Sequence, residues 1–143
     1  MEEALVALLK TQVSITATVG QRIYAGFMPQ KAVSHTNDDD RDGLPCILIT
    51  ELSSEENVAF DSTGALRFVN VDIDCKAKSR PVARTLAKTV RRFIDDYTGT
   101  AGSETIRAVL MEASRMDYEQ PFDGSDNGIH VVTMNLTVQY EES

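Results

Sequence analysis

Apolar and polar positions alternate most regularly near the middle of the chain, where Val69, Val71, Ile73 and Cys75 fall on one face and Asn70, Asp72, Asp74 and Lys76 on the other. A period of two sends one row of side chains into a core and leaves the other wet, which predicts a half-buried strand over 65–77. The pattern returns in 129–140, with Val132, Met134, Leu136 and Val138 set against Thr133, Asn135, Thr137 and Gln139. The β-branched run 45–52 and the segment 105–118 read as two further strands, and 22–25 as a short edge strand ahead of Pro29. Asp61-Ser62-Thr63-Gly64 is turn chemistry, so 45–52 and 65–77 are expected to pair as a long antiparallel hairpin.

Two segments carry the helical period instead. Val82, Leu86, Val90, Phe93, Ile94 and Tyr97 recur at helical spacing behind Ser79, a favoured N-cap, and Pro81, tolerated in a first turn. They predict a helix over 80–97, stopped by Gly99 and Gly102. Leu5, Leu8 and Leu9 predict a shorter one over 2–13, where Glu2 and Glu3 suit the positive end of the helix dipole. This order of elements gives one α+β domain over 1–143, a mostly antiparallel sheet of about four to five strands with two helices packed on one face. The other face, bearing Asn70, Asp72, Thr133 and Asn135, is expected to stay open to solvent or a partner.

Size and charge narrow the function. A chain of 143 residues with 42% hydrophobic content buries about 68–70% of its unfolded surface and needs no disulfide or metal to hold it. Cys46 and Cys75 are therefore expected to be reduced thiols in a chain made in the cytoplasm. The net charge of −8 argues against a protein that grips DNA, because phosphates are held by clustered Lys and Arg. Every apolar run is far shorter than the ~20 residues that span a bilayer. The opening Met1-Glu2-Glu3 lacks the basic flank of a secretory signal.

Candidate chemistry is sparse. Asp38, Asp40, Asp42 and Gly43 begin like a calcium loop, but the twelfth position, where a bidentate Glu belongs, is Ile49. The cluster Asp38, Asp39, Asp40 and Asp42 is read as a solvated loop, and Asp123 to Gly128 as a turn by the same test, its twelfth position being Met134. His35 and His130 have no zinc-ligand spacing, and His130 is read as a side chain at the sheet margin. Nucleophile, dinucleotide and phosphate motifs are absent, so no catalytic residue, cofactor or metal is assigned. Charge, however, is segregated: 38–61 holds eight acids and one arginine, whereas 76–92 holds seven bases and no acid. Two readings fit, a pair of solvated faces or complementary patches that join one subunit to the next.

Five stretches in this order carry a resemblance: Glu3 to Leu9, Val19 to Tyr24, Leu44 to Ile49, Val71 to Ala77 leading into the 83–93 helix, and Asp117-Tyr118-Glu119 followed by Gly128 to Val132. Together they resemble the tail-completion, or tail terminator, proteins of long-tailed bacteriophages. The Asp38 to Asp42 cluster looks like an insertion, and Ala25 stands where the family is expected to favour proline. The resemblance implies a virion protein, assembled in the host cytoplasm, that forms a hexameric ring on the head-proximal end of the tail tube. Such a ring stops tube growth and joins the head connector, without catalysis or cofactor. Its implied partners are its own copies, the tube protein and a head-completion or connector protein, with DNA passing through unbound and no membrane involved.

Interface candidates follow from that reading. Val58 and Phe60 are an apolar pair on a polar hairpin tip, suited to a neighbouring subunit or the tube. Arg84, Lys88, Arg91 and Arg92 form a basic surface on helix 80–97 that is expected to meet acids of an adjacent subunit, while Asp38, Asp39, Asp40 and Asp42 face the lumen or solvent. A different class stays open: a small ferredoxin-like ligand-binding or regulatory domain, told apart by being a monomer that binds a metabolite. A hydrolase without a recognisable nucleophile motif is more distant still.

Overall fold

The structure, a computed structural model, describes residues 1–26, 45–57, 66–102, 104–119 and 128–141. The alternation in mid-chain becomes β3 (Leu66–Ala77), which pairs antiparallel with β2 (Cys46–Asn57) on one side and β6 (Ile129–Glu141) on the other. β5 (Glu104–Glu119) lies antiparallel outside β6, and β4 (Gly99–Ala101) covers only its first residues, Glu104 to Ile106. On the far side β1 (Ile23–Ala25) pairs with Ile47 to Ile49 of β2, in parallel. The strand order is β1-β2-β3-β6-β5-β4.

Among the described residues three helices pack against the apolar side: α1 (Glu2–Lys10), α2 (Val13–Val19) and α3 (Arg80–Ile94). Ser79 Oγ accepts from Val82 N at 3.4 Å and Pro81 sits in the first turn, so α3 begins where its capping chemistry requires. Ala83, Leu86, Ala87, Val90 and Ile94 form its buried stripe, against Val71, Ile73 and Cys75 of β3 and Met134 and Leu136 of β6. Leu5 and Leu9 of α1 and Ile15 and Val19 of α2 complete this core.

The expected architecture needs correction. Among the described residues the sheet has six strands and is mixed, not four to five strands of mostly antiparallel sheet, and three short helices pack on it, not two. The sheet also curls into a half-barrel. The curl is visible in α1, which packs on β1 and β2 at one edge and on β4 at the other. At Gly102, where φ is +60°, an added Cβ would lie 3.5 Å from Ala4 of α1, so glycine permits both the turn and the approach. Bulges sharpen the twist: Leu52 is the extra residue in β2, and Arg107 and Glu112 are the extra residues in β5.

Candidate assembly surface

The side of the sheet away from the helices carries the polar row of the alternation, and cross-strand pairing turns that row into a ladder. Asp74 lies opposite Thr133, and Asp72 opposite Asn135. Thr133 Oγ1 donates to Asp74 Oδ1 at 2.7 Å, and Asn135 Nδ2 donates to Asn70 Oδ1 at 2.6 Å and to Asp72 Oδ1 at 2.9 Å. Thr137 Oγ1 extends the row to Glu112 Oε1 of β5 at 3.2 Å. Burial pushes the Asp74 carboxyl above its ordinary range, opposed by the Thr133 hydrogen bond and by the charge of Lys76. This face is polar, and its described side chains hydrogen-bond to one another across the strands.

The strand edges are less complete. Among the described residues no strand covers the outer edge of β5 beyond Ile106, nor that of β2 beyond Ile49. The Glu51 amide is taken by Glu2 Oε2 at 2.9 Å, and among the described residues no strand pairs with the outer edge of Leu52 to Asn57. Exposed apolar side chains mark both edges: Leu52 is 54% exposed and Leu110 57%. A cleft of about 420 Å³ follows the β5 edge, walled by Arg91, Asp95 and Asp96 at the end of α3 and floored by Leu110 and Glu112. Unpaired N–H and C=O groups along such an edge are a template for another strand.

The structure brings together the polar residues expected on the open face, Asn70, Asp72, Thr133 and Asn135. Arg84, Lys88, Arg91 and Arg92 are all exposed on α3, and none makes an ion pair with another described residue. Only Arg91 reaches the cleft. Val58, Phe60 and the acids Asp38, Asp39, Asp40 and Asp42 lie outside the described residues, as do His35 and the 61–64 and 121–127 turns. His130 sits at the sheet margin with its ring 4.9 Å from that of Tyr118. Cys46 and Cys75 are buried and neither is in a disulfide. Cys75 lies opposite Ile47 on the core side, whereas Cys46 lies opposite Lys76 on the other side of the sheet. Among the described residues no three His, Cys, Asp or Glu side chains come together as a metal site, and no helix is long and apolar enough to cross a membrane.

The bare edges have no simple sequence signal. Each bulge flips the alternation of β5, so 104–119 shows no clean apolar row, and nothing local reveals that β4 stops after three residues. The deciding observation comes from comparison with known proteins. The profile of tail completion protein gp17 matches residues 3–139. The chain belongs to that family. No curated protein matches it. Among solved structures, a chain from "Virion of native gene transfer agent (GTA) particle" superposes with a TM-score of 0.60 at 12% identity, covering 93% of this chain and 88% of that one. At that identity the likeness shows a common fold. Family membership makes this tail completion chain a phage tail structural protein.

Proposed function

We propose that the chain assembles into a hexameric ring on the head-proximal end of the phage tail tube, ends tube polymerisation there and presents a surface to the head connector. The match to the tail completion family over 3–139 carries this reading. Two features support it: the open polar face and the two bare strand edges, both suited to assembly and neither to catalysis. In this reading the chain is not an enzyme and takes no cofactor. Its partners are further copies of itself, the tube protein and a head-completion or connector protein.

The basic side chains Arg84, Lys88, Arg91 and Arg92 meet acids of the adjacent subunit, and Val58 and Phe60 on the hairpin tip contact a neighbour or the tube. Asp38, Asp39, Asp40 and Asp42 face the lumen or solvent, and the acidic excess lets DNA pass without adhering. Exposed ion pairs are each worth about 0–1 kcal/mol, so several act together and weaken with salt. Mass photometry of the purified chain across a salt series tests the reading. A single higher oligomer that dissociates as salt rises is expected, and Phe60→Ser should shift it toward monomer. A monomer under every condition, with or without tail tubes, overturns the proposal.

A further inference from the structure

We infer that neighbouring subunits join by strand addition, the bare end of β2 from one copy pairing antiparallel with the bare end of β5 from the next; the inference rests on the ring reading above.

Strand direction allows it. β3 runs antiparallel to both β2 and β6, and β5 runs antiparallel to β6, so β2 and β5 point in opposite directions within one subunit. Rotation about a ring axis preserves those directions. The β2 of one copy therefore meets the β5 of its neighbour in the antiparallel sense, which forms the better ladder.

The shape of the sheet points the same way. β1 covers the start of β2 and β4 covers the start of β5, two diagonal corners of the sheet that both rest on α1. A twisted sheet is saddle-shaped, so if one diagonal bends toward the helices the other bends toward the open face. The bent-out corners are the two bare ends, Ser53 to Asn57 and Ala113 to Glu119. Joined, they carry the sheet onward around the open face, which then lines the lumen.

Register follows from what has to be avoided. The neighbour's β1 occupies the same column as β5 and has to clear its last residues, which takes a slide of about six residues, about 20 Å at ~3.4 Å each. The four long strands span about 19 Å at ~4.8 Å each, so level subunits require strands inclined near 45°, the upper end of the range for closed barrels. An even slide also keeps open face with open face. It sets Ser53 opposite Asp117, Glu55 opposite Arg115 and Asn57 opposite Ala113. Ser53 to Asn57 holds Glu55 and Glu56 and no base, and Ala113 to Glu119 holds one base, Arg115, with Asp117 and Glu119; this alignment sets that one base, its side chain 69% exposed and 3.0 Å from Asp117, opposite Glu55. Arg91 stands beside the same edge.

Cysteine cross-linking in the full chain tests the pairing. Asn57→Cys with Ala113→Cys and, separately, Glu56→Cys with Ser114→Cys sample the two kinds of opposed pair in an antiparallel ladder. Oxidation of either double variant should give a covalent series up to the full ring, absent from each single variant. Arg115→Glu should raise the protein concentration needed for assembly about tenfold, and adding Glu55→Lys should restore it. Rings visible by electron microscopy that cross-link through neither pair overturn strand addition while leaving the ring reading intact. Rings unaffected by Arg115→Glu overturn the proposed register. A chain that forms no ring removes the ring reading itself, and this inference with it.

Discussion

Thr133 and Asp74 face each other across the β3–β6 ladder on the side of the sheet away from the described helices, and the Thr133 hydroxyl donates to the Asp74 carboxylate at 2.7 Å. Thr133 is 6% exposed, the buried polar residue of this ladder. Burial lifts the Asp74 carboxyl above 3.8, its ordinary value, more than the hydroxyl lowers it. In the window between those two values the folded chain holds a proton that the unfolded chain has released. Stability from this group is thus fully present below the ordinary value and is lost as pH rises through the raised one.

Asp74→Asn keeps an acceptor for Thr133 and removes this titration. Urea unfolding at a series of pH values should show the variant gaining on the native chain as pH rises through the mildly acidic range, to equal or exceed it at pH 7. Parallel pH profiles for the two proteins would mean that Asp74 does not titrate abnormally.

Cys46 and Cys75 project from opposite sides of the sheet, so they cannot be bridged without rebuilding the β2–β3 pairing. Burial, with the nearby Asp74 charge, also pushes the Cys75 thiol up and keeps it protonated. Thiol labelling followed by intact-mass analysis should find both cysteines slow to react in the folded chain and both labelled in denaturant. No free thiol in freshly prepared, denatured protein would contradict this.

Leu86 is fully buried where α3 meets the sheet, whereas Val82 on the same helix is 41% exposed. Leu86→Ala should cost about 2–5 kcal/mol in urea unfolding through lost burial and an unfilled cavity. Val82→Ala should change stability by less than about 1 kcal/mol. Similar losses at both positions would place the helix in the wrong orientation.

The elements legible in the sequence are those whose local and tertiary demands agree. β3 alternates because one side meets α3 and the other side is open, and α3 carries both its period and its cap. What escaped was decided by contacts far along the chain. Val13 to Val19 contains Val13, Ile15, Thr16, Thr18 and Val19, β-branched residues of modest helix propensity, yet it is helical because Ile15 and Val19 reach the core. Gln12 is extended, so the helix expected over 2–13 stops at Lys10 and a second one begins at Val13. β1 is parallel to β2, a relation that no hairpin turn reveals, and β4 has three residues, too few to show a period. Ser53 to Asn57, past the expected end of the strand over 45–52, continues β2, held by its ladder to β3. The open polar face was legible because one row of alternation defines it. The bare edges were not, since an edge is a property of which strand stops where.

Passage of DNA is a separate matter from ring formation. With a net charge of −8, the assembled protein is expected to show no appreciable duplex affinity near physiological salt. Fluorescence anisotropy with a short labelled duplex measures this directly, and a reproducible complex of about micromolar affinity or tighter would contradict a passive channel.

Whether the chain caps the tail tube is read from electron microscopy of negatively stained tubes mixed with the purified chain. A ring seated on one end of each tube is expected, and tubes grown in its presence should stop lengthening once capped. Bare tube ends at saturating protein, with tube length unchanged, would contradict it.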